Sequence, residues 1–179
     1  MDAQLLNWYQ LRHPTYLGEN RASQSSKEQL TILTNEILIP LGAELGLPII
    51  SYGFNCPQLL RWIQSNSPKD TAPLLDQHAS MELNLKGNRI CKRDGAACDF
   101  LIEGKENQMH IAANFIIQHL SFDRLYFYGK DKPLHVSIGA DNTRYVQIRQ
   151  AKSSGRRVAG PSRTGSSALE LFEIYNTTG

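Results

Sequence analysis

The sequence predicts a single α+β domain in which helices pack on a small, mostly antiparallel sheet. A length of 179 residues suits one domain with one hydrophobic core. With 41% hydrophobic and 20% charged residues, the composition is that of an ordinary folded domain rather than a disordered chain. Stretches with helical spacing of apolar residues are interspersed with short β-prone runs, which favours α+β.

Helices are predicted at four places. The first is short and lies near residues 5–11. The second begins at Ser25 or Ser26, where a serine is followed three residues later by Glu or Gln, as in a capping box. Its apolar positions repeat at helical spacing, Pro40 should kink it, and Gly46 suits its C-terminal end. The third follows Pro57, a favourable first-turn residue, and the fourth spans about residues 110–120.

Strands are predicted at 48–52, 98–102, 122–128, 134–138 and 145–149. Between the first two, residues 79–94 combine alternating apolar positions with a turn at Gly87, which predicts an inserted hairpin. Residues 151–167 are rich in Ser, Gly, Arg and Lys and predict a mobile loop, with a short final element at 168–175. We therefore expect a domain at 1–150 and a basic flexible segment with a C-terminal element at 151–179.

The chain lacks the apolar run of roughly 18–20 residues that a membrane-spanning helix needs, so no membrane association is expected. No basic region followed by an apolar segment occurs near Met1, and we expect a cytoplasmic protein without a signal peptide. Cys56, Cys91 and Cys98 form no paired framework, which fits a reducing compartment, with one disulfide as the alternative.

One carboxylate and two imidazoles stand out as candidate metal ligands. Asp99 lies within an apolar run, where a lone carboxylate is costly unless it is paired or binds a metal. Together with His78 and His135 it makes a usable tridentate Zn²⁺ site with one open position. The alternative is that Asp99 caps a helix or forms a salt bridge. Cys98 should point to the opposite face of its strand, whereas Cys91 could be a further ligand.

These residues lie in four blocks whose order resembles the D-Ala-D-Ala carboxypeptidase-like zinc peptidases, which share the hedgehog/DD-peptidase fold. The blocks are Ser51-Tyr52-Gly53-Phe54, Gln77-His78, Gly95-Ala96-Ala97-Cys98-Asp99 and Leu134-His135-Val136-Ser137. The resemblance covers about residues 28–139. It implies that His78, Asp99 and His135 bind zinc. The stretch 79–94 interrupts blocks that are close together in the family.

Two catalytic positions depart from the family pattern. Asn55 stands where the family has an arginine, and Arg61 is the alternative. Lys132 and Tyr128 occupy the two places where the family supplies a general-base carboxylate. Asp131 is the nearest carboxylate in sequence and is the predicted base, with Glu82 and Glu103 as alternatives. Tyr128 or Tyr126 would stabilise the oxyanion.

Two functions follow from these features. The first is a zinc-dependent hydrolase that cleaves a peptide or amide bond in a peptide-like or carboxylate-bearing substrate. The second is a catalytically inactive zinc-binding module with a nucleic-acid or acidic protein partner. Residues 124–179 carry nine Lys or Arg against four Asp or Glu, although a solvated basic surface is the simpler interpretation. The basic residues considered for this contact are Arg144, Arg149, Lys152, Arg156, Arg157 and Arg163.

Overall fold

Five β-prone runs and one segment of loop-like composition pair into a six-stranded sheet. The computed structural model describes residues 2–152 and 157–176. The strands are β1 Pro48–Tyr52, β2 Ala96–Ile102, β3 Arg124–Phe127, β4 Leu134–Ile138, β5 Tyr145–Ala151 and β6 Arg157–Thr164. Their order across the sheet is β1-β2-β4-β3-β5-β6.

Four of the five strand pairings are antiparallel, and β3 pairs with β5 in parallel. The parallel pair arises because the chain leaves β4, crosses the end of β3 and returns on its far side. The predicted single α+β domain is confirmed, and its sheet is mixed.

Seven α-helices accompany the sheet in the described part of the chain, together with 3-10 segments at Pro68–Asp70 and Gly165–Phe172. The helices are α1 Asp2–Asn7, α2 Tyr9–Arg12, α3 Gln24–Leu33, α4 Ile39–Leu45, α5 Pro57–Asn66, α6 Met109–His119 and α7 Glu173–Asn176. Within the described ranges, every helix is too short or too polar to cross a bilayer.

The two faces of the sheet differ in polarity because side chains alternate along each strand. On β2, Cys98, Phe100 and Ile102 are fully buried in the main hydrophobic core. Helices α3 and α6 contact β2 and β4 and contribute to this core. Asp99 lies between two of the core positions and therefore belongs to the other face. Cys98 is a free, buried thiol, as its position on the strand predicts.

The helix predicted to be kinked by Pro40 is interrupted before that residue. A π-helical segment, Thr34–Leu38, joins α3 to α4, and the backbone N–H of Ile39 donates to the carbonyl of Thr34, five residues earlier. Proline has no N–H and its ring clashes with the carbonyl four residues back, so a locally wider helix accommodates it. The helix begins two or three residues earlier than expected, because Ser23 is the N-cap and accepts from the Ser26 N–H.

Two segments differ from their predictions. Within 151–167, residues 157–164 form β6, which pairs with β5, while 153–156 lie outside the described residues. The basic segment therefore contributes an edge strand to the sheet. The predicted hairpin at 79–94 is reduced to one isolated bridge between Leu83 and Arg89, closed by a turn at Gly87.

The C-terminal element, Gly165–Phe172 and α7, packs against the rest of the domain and should contribute to its stability. Phe172 is fully buried and meets the Phe127 ring edge-on, with 5.0 Å between centroids. Phe172→Ala should lower the free energy of unfolding by about 3–5 kcal/mol because it leaves a cavity. Ile174→Ala, at a side chain that is 70% exposed, should change it by less than about 0.5 kcal/mol. Urea denaturation measures both, and equal small effects would contradict this packing.

Candidate metal centre

Two of the three predicted ligands are brought together by the register of neighbouring strands. Asp99 on β2 lies directly opposite His135 on β4. Directly opposed residues of an antiparallel pair point to the same face, so these two side chains meet. His135 Nδ1 is 2.8 Å from Asp99 Oδ1. The imidazole is also stacked on the Tyr126 ring, with 4.9 Å between ring centroids.

The third predicted ligand, His78, reaches the same carboxylate from a loop. Its Nδ1 lies 3.1 Å from the carbonyl oxygen of Gly53. A carbonyl can only accept, so Nδ1 carries the proton, and in the neutral ring Nε2 presents a lone pair. Nε2 is 3.5 Å from Asp99 Oδ1. Backbone anchoring of one imidazole nitrogen, which leaves the other available, is typical of metal-binding histidines.

Glycines allow the close backbone approaches that this arrangement needs. A Cβ on Gly53 would lie 2.4 Å from the carbonyl oxygen of Leu5, so no larger residue could hold its carbonyl at this place. Gly95 has a φ of +118°, and a Cβ there would lie 1.9 Å from the carbonyl oxygen of Ile138. The sequence-based expectation that a small residue at position 95 permits close backbone approach is confirmed.

The loop that carries His78 is fixed by its neighbour, Gln77. Gln77 adopts a left-handed backbone conformation with a φ of +56°. Its side-chain amide donates to the Asp123 carboxylate at 3.0 Å and to the carbonyls of Asp94 and Ile138 at 2.9 and 3.2 Å. These bonds tie the loop to the end of β4 and compensate for the strained backbone.

The three side chains form a compact donor set. One ligand atom from each of His78, Asp99 and His135 lies within 4.8 Å of the others. The two histidine side chains are 3% and 1% exposed, whereas the Asp99 side chain is 25% exposed, so the cluster opens on its carboxylate side. Two nitrogens and one oxygen suit Zn²⁺ and several other divalent ions. The group could therefore hold a metal ion.

Protonation within the cluster is strongly coupled. Burial disfavours the Asp99 carboxylate, but the adjacent imidazoles, His78 and His135, outweigh this effect and hold the pKa of Asp99 well below its usual range. Burial also disfavours charged His135, but the hydrogen bond to Asp99 raises the pKa of His135 above its usual value. The site therefore favours a positive charge beside Asp99, which either a proton or a metal ion provides.

The cluster lies at the wall of a cleft of about 420 Å³. His78 and Asp99 line this cleft, which is bounded on one side by the 3-10 segment and the following loop up to Pro73. Tyr128, Arg149 and Arg157 line it from the far strands of the sheet. A cleft of this volume is large enough for a small organic ligand or a short peptide segment.

The three predicted catalytic residues occupy different environments. Asn55 is fully buried; its side-chain amide donates to the Tyr52 hydroxyl at 3.0 Å, and its N–H donates to the His78 carbonyl at 2.9 Å. It therefore positions the loop of His78. Tyr128 lines the cleft. Asp131 is not among the lining residues; its side chain is 51% exposed and pairs with Lys132 at 2.9 Å. That hydrogen bond lowers the pKa of Asp131.

A second carboxylate in the cleft, Asp76, has no predicted role in the sequence analysis. Asp76 is only 6% exposed and lines the cleft together with His78 and Asp99. Among the described residues its side chain has no hydrogen-bond or ion-pair partner. Its carboxylate is therefore available to a ligand or a water molecule in the cleft. The signal available in the sequence was its position two residues before His78.

The basic residues considered for a nucleic-acid or protein partner do not share one surface. Arg144 donates to the carbonyls of Ile117 and Leu120 and stabilises the end of α6. Arg163 pairs with Glu170, while Arg149 and Arg157 face the cleft. Lys152 is exposed, and Arg156 lies outside the described residues.

Asp123, which accepts a hydrogen bond from Gln77 and so anchors the loop of His78, should stabilise the fold in a pH-dependent way. Asp123 is buried, and although burial opposes its ionisation, hydrogen bonds from Thr143 and Gln77 lower its pKa. A lowered native pKa stabilises the fold above the unfolded-state pKa of about 4, and this contribution is lost as the pH falls through the native pKa. Asp123→Asn should therefore cost about 1–3 kcal/mol at pH 7 and clearly less at pH 3.

Denaturation of both proteins at the two pH values measures this difference. Asp141→Asn, at an exposed carboxylate, is the matched control and should be nearly neutral at both. A cost for Asp123→Asn that does not change with pH would contradict the proposed anchor.

Comparison of the chain with protein-family models, with curated proteins and with solved structures gives no match.

Proposed function

We propose that this protein is a zinc-dependent hydrolase that cleaves a peptide or amide bond. The observation that carries the proposal is the convergence of His78, Asp99 and His135 at the wall of a cleft that also contains an unpaired carboxylate. A metal-binding group without a substrate-sized cleft would suit a purely structural metal. A cleft with an unpaired carboxylate beside a metal-binding group suits hydrolysis better.

The resemblance to the D-Ala-D-Ala carboxypeptidase-like zinc peptidases supports the choice of metal and bond. Its four sequence blocks lie on β1, the His78 loop, β2 and β4. The three strands are consecutive in the sheet, and His78 is anchored to the carbonyl of Gly53 in the first block. Blocks that are 17 or more residues apart in sequence therefore meet at one place, as a shared site requires.

His78 Nε2, the Asp99 carboxylate and His135 Nδ1 would hold the ion. Zn²⁺ bound by three protein ligands polarises a carbonyl and lowers the pKa of a water in its open position to near neutrality. The Gly53 carbonyl keeps the proton of His78 on Nδ1. His135 has a buried Nε2 without a partner among the described residues, so stacking on Tyr126 sets its ring orientation.

We assign the general base to Asp76 rather than to Asp131. Asp76 is in the cleft and unpaired, so it can accept a proton from the attacking water and pass it to the leaving amine. Tyr128 serves as the hydrogen-bond donor to the substrate carbonyl. Burial raises the pKa of Tyr128, so the phenol stays protonated at neutral pH.

Metal content tests the proposed ligands. The chain purified without chelator should contain about one Zn²⁺, and His78→Ala, Asp99→Ala and His135→Ala should each lose it. His119→Ala, at an exposed histidine on α6, is the matched control and should retain the metal. Elemental analysis of the folded proteins measures this. A folded wild-type protein without bound metal, even after incubation with excess Zn²⁺, would contradict the proposal.

Two carboxamide variants test the general base. Asp76→Asn should keep the metal but lower kcat on amide or D-alanyl-D-alanine-terminated peptides by about 10²–10⁴-fold, because it removes proton transfer. Asp131→Asn should leave kcat nearly unchanged. Activity that falls with Asp131→Asn and survives Asp76→Asn would restore the sequence-based assignment.

A further inference from the structure

Two arginines face the same cleft from the far edge of the sheet. Arg149 lies on β5 opposite Ala159, and Arg157 lies on β6 opposite Ala151. Gln147 on β5 pairs with Tyr126, which pairs with His135, so the alternate position Arg149 lies on the face that carries Asp99 and His135. Ala151 and the opposed Arg157 lie on the same face. Both line the cleft together with His78 and Asp99.

Neutral groups hold both arginines in place. Arg157 Nη1 donates to the Tyr128 carbonyl at 2.8 Å, and its guanidinium lies 5.1 Å from the centre of the Tyr128 ring. Arg149 Nη1 donates to Gln147 Oε1 at 3.0 Å, and its guanidinium lies 5.8 Å from the centre of the Tyr126 ring. The Nε of Arg149 is buried and has no partner among the described residues.

The other basic groups at the cleft are mostly neutralised. Arg12 pairs with Asp70 at 2.7 Å, and Lys132 pairs with Asp131 at 2.9 Å. These two ion pairs leave little positive charge for a ligand. The negative charge of Asp99 is likewise compensated by the two imidazoles of the cluster.

Three basic side chains that line the cleft have no acidic partner among the described residues, namely Lys69, Arg149 and Arg157. Asp76 is the acidic lining residue that has no partner of its own. The unmatched side chains therefore carry a net charge of +2, which a dianion neutralises. A monoanionic carboxylate would leave one positive charge uncompensated.

We propose that Arg149 and Arg157 form a phosphate subsite, which binds a phosphate monoester group of the substrate. Planar guanidinium forks match the oxygens of phosphate and bind them through paired hydrogen bonds. The inference deepens the proposed function and rests on it, because the subsite belongs to the cleft of the metal-binding cluster. The substrate would then be an amide or peptide that carries a phosphate.

Inorganic phosphate tests the subsite directly by calorimetric titration at constant ionic strength. The full chain is first treated with chelator, so that phosphate cannot bind through a metal ion. Phosphate should bind at least about tenfold more tightly than acetate. Arg149→Gln should weaken phosphate binding about tenfold or more, because it removes a charged hydrogen-bond donor.

A control variant removes the same charge elsewhere on β6. Arg163→Gln replaces an arginine that pairs with Glu170 outside the cleft, and it should leave the affinity for phosphate unchanged. Arg157→Lys keeps the charge but loses the planar fork, so it should bind phosphate more weakly than wild type. Melting temperatures of all variants identify any effect of misfolding, and Arg149→Gln breaks only one side-chain hydrogen bond between described residues.

Equal affinity for acetate and phosphate, equal weakening by Arg163→Gln and Arg149→Gln, or no weakening by Arg149→Gln would each overturn the subsite. The zinc content of Arg149→Gln separates this inference from the proposed function. A variant that loses phosphate but keeps its metal supports both. Phosphate binding by a wild-type protein that never takes up zinc would contradict the hydrolase and leave the subsite standing.

Discussion

The hydrogen bond between Asp99 and His135 is the interaction on which the site depends. It joins β2 and β4, which are neighbours inside the sheet, and it places a carboxylate beside a buried imidazole. Separating the two would leave buried polar groups without partners, which is costly. The loop of His78 is then fixed so that a second imidazole approaches the same carboxylate, with Gln77 and Asn55 bonding it to the rest of the domain.

The two faces of the sheet have different roles: one contributes to the hydrophobic core and the other carries the candidate metal centre. The apolar face packs against α3 and α6 and forms the core, while the polar face retains several groups with incomplete hydrogen bonding. The Nε2 of His135 and the Nε of Arg149 are buried and lack hydrogen-bond partners among the described residues. Native proteins carry few such groups, and those they keep are concentrated where a ligand or ion completes the bonding. Arg149 lines the cleft together with Asp76 and Asp99, and His135 lies beside Asp99 at the cleft wall, so this face is suited to binding a ligand.

The sequence predicted the cluster of His78, Asp99 and His135 and most of the core better than the edge of the sheet. The inner strands can be identified from the sequence, because burial requires apolar side chains at alternating positions along them. Gly160 and Pro161 weaken the strand pattern of residues 157–164. The segment nevertheless forms β6, because an edge strand tolerates glycine and proline and β5 supplies the pairing. Asp76 was not assigned a role because its burial and lack of a partner are properties of the folded chain. Proximity in sequence favours Asp131 as the base, but it does not fix direction in space, and Asp131 is not among the residues that line the cleft.

X-ray absorption at the zinc edge of the metal-loaded protein identifies the atoms that bind the ion. We expect two imidazole nitrogens and one carboxylate oxygen from the protein, with a further light atom in the open position and all four at about 2.0–2.2 Å. The spectrum of Asp99→Asn should change, since it alters the oxygen ligand. A sulfur ligand at about 2.3 Å, which Cys91 would supply, or a spectrum without imidazole scattering would contradict the proposed metal centre.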